Sequence, residues 1–174
     1  ANGAAQGNEV QLISSVAGNP NIAGTANGDF VIVWLTSTGL AAQRFNASGS
    51  ALSAVLTVNT TLDVETTTFP CVAMDAVGNF VVTWNNRLLT GDSDVYARRY
   101  NAANAAQGDQ FRVNTITLNR QEYPTVAMDS AGNFIVNWQT SVQSNLEQYA
   151  QRYDAAGNPV GGEFRVNNET ASIQ

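Results

Sequence analysis

The chemistry open to this chain is bounded first by what is missing. Its 174 residues include no histidine, and all eight basic residues are arginine. The commonest general base and metal ligand is therefore absent, and a serine or cysteine nucleophile has no usual partner. These facts lead to the expectation that the chain is not an enzyme and has no catalytic residues. Carboxylates remain. Asp75, Asp129 and Asp154 each open an Asp-x-x-Gly-Asn signature, where an aspartate closes a turn by accepting from the backbone ahead of it. Asp92-Ser-Asp94 follows Gly91 and offers two carboxylates to a hard cation, which makes Asp92 and Asp94 the calcium candidates, although the loop lacks EF-hand spacing and a distal glutamate. No other cofactor is expected. Cys71 has no second cysteine and no base to activate it, so it reads as incidental. Trp34, Trp84 and Trp138 raise the alternative of stacking on sugars; their place in an alternating apolar stripe favours the core.

These residues are positioned by a repeat. Residues 124–138 read Pro-Thr-Val-Ala-Met-Asp-Ser-Ala-Gly-Asn-Phe-Ile-Val-Asn-Trp, residues 70–84 restate them closely, and residues 20–34 form a third, more divergent copy. Pro20, Pro70 and Pro124 set a period of roughly 50 residues, which signals a propeller, solenoid or tandem array. In each copy a Phe-x-Val/Ile-x-Trp stripe falls on one face at period two: Phe30, Ile32 and Trp34; Phe80, Val82 and Trp84; Phe134, Val136 and Trp138. The opposite face is also largely apolar, which suits a strand covered on both sides. The turn before the stripe needs a positive φ, supplied by Gly78 and Gly132.

Two further segments complete each unit. Val10-Gln-Leu-Ile13, Leu56-Thr-Val-Asn59, Phe111-Arg-Val-Asn114 and Phe164-Arg-Val-Asn167 read as a short strand entering each repeat. Residues 39–45, 94–100 and 148–153 are ambiguous. As a helix, Leu146, Tyr149 and Tyr153 share a stripe, whereas as a strand Tyr149, Gln151 and Tyr153 do. The Asp154-x-x-Gly-Asn turn that follows, leading on to Phe164, favours the strand.

Tyr149-Ala-Gln-Arg-Tyr-Asp-Ala-Ala-Gly-Asn-Pro-Val-Gly-Gly-Glu-Phe-Arg-Val-Asn167, joined to residues 124–138, resembles the tandem repeats of about 50 residues found in large secreted and surface proteins of bacteria. The likeness is good over residues 56–168 and weaker for the first copy, which has Gly24 and Thr25 where the others have Met and Asp. The resemblance implies propeller-like blades, an extracellular or cell-surface location and a scaffold or adhesion role, with no common ligand.

The expectation is thus an all-β chain of three tandem four-stranded antiparallel units, propeller-blade-like: repeat 1 over 10–55, repeat 2 over 56–110, repeat 3 over 111–163, and the first strand of an incomplete fourth over 164–174. Three units are fewer than the four to eight blades of single-chain propellers. Neighbouring copies are therefore expected to complete them, by strand addition through Phe164, Val166, Val10 and Leu12. The leading function is a non-catalytic extracellular structural or adhesion subunit that assembles with identical copies into a filament or other oligomer; the alternative is a lectin-like module for surface glycans. A net charge of −6 without a basic cluster argues against nucleic acid, and no apolar run reaches the roughly 20 residues that span a bilayer. The sequons at Asn46, Asn59 and Asn168 carry little weight in an Asn-rich chain.

Overall fold

A computed structural model describes residues 9, 11–13, 18–59, 69–87, 91–142 and 145–167, the side chains of residues 142 and 145 excepted. Every element among them is a strand: β1 (Gly18–Gly24), β2 (Phe30–Thr36), β3 (Gly39–Phe45), β4 (Leu56–Thr57), β5 (Cys71–Met74), β6 (Phe80–Arg87), β7 (Ser93–Tyr100), β8 (Phe111–Arg112), β9 (Gln121–Met128), β10 (Phe134–Val142), β11 (Asn145–Tyr153) and β12 (Phe164–Arg165). They form three four-stranded sheets, β1 to β4, β5 to β8 and β9 to β12, each an antiparallel meander in chain order. The all-β, three-unit architecture expected from the repeat is present, and residues 39–45, 93–100 and 145–153 are strands rather than helices.

The stripes dictate how the sheets meet. Phe80, Val82 and Trp84 on one face of β6 share a core with Val31, Val33, Leu40, Ala42 and Val58 of the first sheet. Val81, Val95, Ala97 and Val113 on the opposite face of the second sheet share another with Phe134, Val136, Trp138 and Tyr153 of the third. The Phe-x-Val-x-Trp face of the second and third sheets therefore packs on the back of the sheet before it, as blades do. Aromatic rings repeat the geometry, Phe80 stacking on Tyr100 at 4.8 Å and Phe134 on Tyr153 at 4.7 Å.

The turns behave as their residues require. Gly78 has φ 94° and Gly132 φ 88°, and a Cβ on Gly78 would stand 2.7 Å from Arg44 Nη2 of the preceding sheet. Asp75 Oδ1 accepts from the N–H groups of Val77 and Asn79 at 3.0 and 2.9 Å, while Asn79 Nδ2 donates to Asp75 Oδ2 at 2.7 Å. Asp129 with Asn133 and Asp154 with Asn158 repeat the pairing of side chains. Hydrogen bonds from Asn133 and Asn158, chiefly from their side chains, hold the Asp129 and Asp154 carboxyls below the usual aspartate value. The folded pKa lies below the unfolded one, so this stabilisation is present above about pH 4 and is lost as pH falls through the folded values. The expected denaturant midpoint is level from neutrality to about pH 5 and declines below about pH 4. A variant carrying Asp129→Asn and Asp154→Asn should show a shallower acid limb; an unchanged limb would assign the decline to other carboxylates.

Two sequence-based expectations are corrected. Residues 56–57, 111–112 and 164–165 are not entering strands: each pairs with the third strand of the sheet already begun, as Leu56 with Ala42, Phe111 with Ala97 and Phe164 with Ala150. The units run 18–57, 71–112 and 121–165, one strand out of phase with the boundaries set at 10–55, 56–110 and 111–163, and residues 164–165 close the third unit instead of opening a fourth. β12 pairs with β11 at the edge of its own sheet, and Phe164 and Val166 are 40% and 52% exposed. Val10 lies outside the described residues. Leu12, equivalent to Val58 and Val113, is half-buried with Cδ2 against the turn at Gly49.

Candidate functional site

Three features outside the core carry polar or aromatic groups toward a partner or ligand. The first is an arginine on the third strand of each sheet. Arg44 Nη1 donates to the Ala102 carbonyl in the second sheet's last turn. Arg99 makes the same reach into the third sheet, Nη1 donating to the Ala156 carbonyl and Nη2 to that of Ala155 at 2.7 Å. Burial lowers the Arg99 pKa from its ordinary value, with the Asp154 carboxylate opposing the shift. Tyrosines answer from the other side: Tyr100 Oη donates to the Val58 carbonyl at 3.2 Å and Tyr153 Oη to that of Val113 at 3.5 Å. Burial, then the Glu163 charge, pushes the Tyr153 hydroxyl up to about 12, so it stays a donor at neutral pH. Arg152 occupies the same place in the third sheet, where it is exposed and lies over the Phe164 ring at 5.8 Å.

The second feature is a groove of 230 Å³ between the 116–121 segment and the third sheet, lined by Ile116, Leu118, Gln121, Trp138, Glu147, Tyr149 and Glu163 among others. Trp138 Nε1 donates to Gln121 Oε1 at 2.9 Å, and Gln121 Nε2 donates to the Leu118 carbonyl at 3.0 Å. Glu147 accepts from Arg165 at 3.2 Å and from the Tyr149 hydroxyl at 3.2 Å; Glu163 accepts from the Thr115 N–H at 2.7 Å. Burial, then the bond to Glu147, raises the Tyr149 pKa. The groove thus offers two carboxylates and a protonated phenol. Neither glutamate was singled out from sequence, because Glu147 sits at the edge of an alternating strand and Glu163 in a Gly-rich loop. Their nearness depends on a fold-back that no local pattern displays.

The third is an aromatic pair from neighbouring sheets. Phe69 and Tyr123 lie with ring centroids 5.0 Å apart, tilted by 39°. Tyr123 has φ 53°, an unusual backbone for an aromatic residue and one that costs on the order of 1–3 kcal/mol.

The residues chosen from sequence fall elsewhere. Trp34, Trp84 and Trp138 are 2%, 1% and 1% exposed. No tryptophan face is open to a sugar, and the stacking role suggested for them is corrected by that burial. Asp94 is buried, accepts from Asn114 Nδ2 at 2.6 Å and faces Arg112 at 3.7 Å. A calcium ion shared by Asp92 and Asp94 would have to displace those partners, and among the described residues no three acidic, histidine or cysteine side chains converge on one point. The Asp94–Arg112 pair recurs as Glu147–Arg165, so both acids serve the same link between the third and fourth strands. Asn59 is buried and accepts from the Leu40 N–H at 2.8 Å, which leaves this sequon unsuited to modification in the folded chain.

No family model matches the sequence, and no curated protein matches it. Among solved structures, a thermostable family-43 glycoside hydrolase is similar at a TM-score of 0.56 and 9% identity, over 87% of this chain and 54% of that one. The chain therefore spans about half the neighbour's length. The neighbour is a β-propeller, and the likeness establishes the propeller-type fold. It also corrects the expectation that the chain is not an enzyme, since a glycoside hydrolase is built on such blades. The physical fault lay in arguing from histidine, because glycoside hydrolysis requires only a pair of carboxylates.

Proposed function

We propose that this chain is a blade-stacking subunit of an extracellular surface assembly, joined to identical copies face to face. One observation carries the reading: Arg44 and Arg99 each clamp the last turn of the following sheet, while the equivalent Arg152 is exposed on a face against which no sheet packs among the described residues. The matching acceptors are the carbonyls of the first sheet's last turn, where Ala47 and Ser48 are exposed. The open face supports separable copies. Where the buried faces carry Val33, Leu35 and Leu40, or Thr83, Asn85 and Val95, this one carries Asn137, Gln139 and Gln148, and polar faces suit partners that also exist apart. The extracellular setting rests on the resemblance to bacterial surface repeats.

The test is sedimentation velocity across a concentration series. The wild-type chain should gain mass with concentration. Arg152→Ala should weaken association about ten- to hundredfold, the value of a charge-assisted hydrogen bond of about 1.5–3 kcal/mol. Because Arg152 is exposed, the variant should fold normally by circular dichroism. A wild-type chain that stays monomeric throughout, or an Arg152→Ala variant that associates equally well, would overturn the proposal.

A further inference from the structure

The joining of copies proposed above makes no use of Phe69 and Tyr123, whose rings meet where the second and third sheets adjoin. Each directly precedes a proline in the first strand of its unit or just before it, Pro70 ahead of β5 and Pro124 within β9, and Asn19 holds the same position before Pro20 in β1. The innermost strands β5 and β9 lie side by side, which brings the two rings together at 5.0 Å although they stand far apart in sequence. Phe69 is 41% and Tyr123 51% exposed, so this pair, unlike every tryptophan, presents ring surface to solvent. Asn19 and Tyr123 both take left-handed backbone, φ 49° and 53°. Asparagine adopts it readily, whereas for tyrosine it is strained. Strain held in place at an outward-facing aromatic points to a use for the ring rather than to a need of the turn.

We infer that Phe69 and Tyr123 form a stacking platform for the sugar rings of a neutral glycan. The polar partner of the Phe69 backbone is an uncharged amide, that of the buried Asn85 on β6. Asn85 Oδ1 accepts from the Phe69 N–H at 3.4 Å, and Asn19 stands at the equivalent place in the first unit. The flanking charges, Arg120 and Glu122, face each other at 4.0 Å and so offset one another. Such surroundings attract neither nucleic acid nor an acidic polysaccharide. The apolar C–H faces of a neutral pyranose match aromatic rings, and its hydroxyls match amides.

Calorimetric titration with cellohexaose, xylohexaose and mannohexaose tests this. At least one should bind saturably. Phe69→Ala and Tyr123→Asn should each weaken it about tenfold or more, and Tyr123→Phe, which keeps the ring, should bind as the wild type does. Tyr123→Asn places a residue suited to left-handed backbone, so its fold is expected to be intact. If none of the three sugars binds, or if binding ignores both ring deletions, the inference fails. It also fails if Tyr123→Asn abolishes self-association instead, since the pair would then be a protein contact. Arg152 lies outside this platform, so the outcome is independent of the stacking proposal.

Discussion

Trp84→Ala lowers the unfolding free energy by about 3–5 kcal/mol in urea denaturation, the range for truncating a large aromatic where the surroundings cannot close over the space. Trp84 is 1% exposed and lies between the first two sheets, with Val31, Val33, Val58 and Val82 in the same core and Tyr96 stacked at 6.2 Å. Both walls of the would-be cavity belong to sheets whose strands are fixed by their own ladders, so neither can move in without breaking pairs. Trp138→Ala gives an internal comparison. Trp138 is buried to the same extent but lines the open groove beside Gln121 and Tyr149. Water can enter there and satisfy Gln121, so the expected loss is at the lower end of the range or beneath it. Equal and small losses at both sites, under about 1 kcal/mol, would mean that the sheets do not pack as rigid blades.

The contrast between these tryptophans shows where sequence reasoning reaches and where it stops. Period-two stripes and the Asp-x-x-Gly-Asn turn are local, so β6, β10 and the positive φ of Gly78 and Gly132 could be read directly. The phase of the repeat could not. A periodic pattern has no marked origin, and Phe111-Arg-Val-Asn114 stands equally well as the last strand of one unit or the first of the next until Phe111 is seen paired with Ala97. Arg99 posed a different problem. Its partners, the carbonyls of Ala155 and Ala156, are main-chain groups in the next sheet, and main-chain acceptors leave no trace in residue identity. Phe69 and Tyr123 went unread because their shared position before proline gains meaning only when β5 and β9 lie together. The expectation about catalysis failed for another reason: it ranked residues by general frequency of use, whereas the absence of histidine leaves carboxylate chemistry open.

The repeated asparagine after the closing strand yields the other large effect. Asn114 is 2% exposed and its side chain makes three hydrogen bonds: Oδ1 accepts from the Val95 N–H at 2.7 Å, and Nδ2 donates to Asp94 Oδ1 at 2.6 Å and to the Ile116 carbonyl at 2.9 Å. The ladder between β7 and β8 extends over only two residue pairs, so the side chain continues it where the backbone turns away. Asn59 and Asn167 make the equivalent bond to the N–H groups of Leu40 and Gln148 at 2.8 and 2.9 Å. Asn114→Ala leaves the Val95 N–H without its acceptor and removes a donor from a buried carboxylate, and unsatisfied groups of this kind cost about 1–3 kcal/mol each. The expected loss is about 2–4 kcal/mol. Asn114→Asp isolates the cause. It retains an acceptor for Val95 but sets a second carboxylate against Asp94 in place of a donor, so it should also destabilise. Asn167→Ala, at a half-buried site where water can stand in, should cost about 1 kcal/mol or less. If Asn114→Ala cost no more than Asn167→Ala, the bonds to Val95 and Asp94 would contribute little, and the closing strand would be held by Val113 and its apolar neighbours alone.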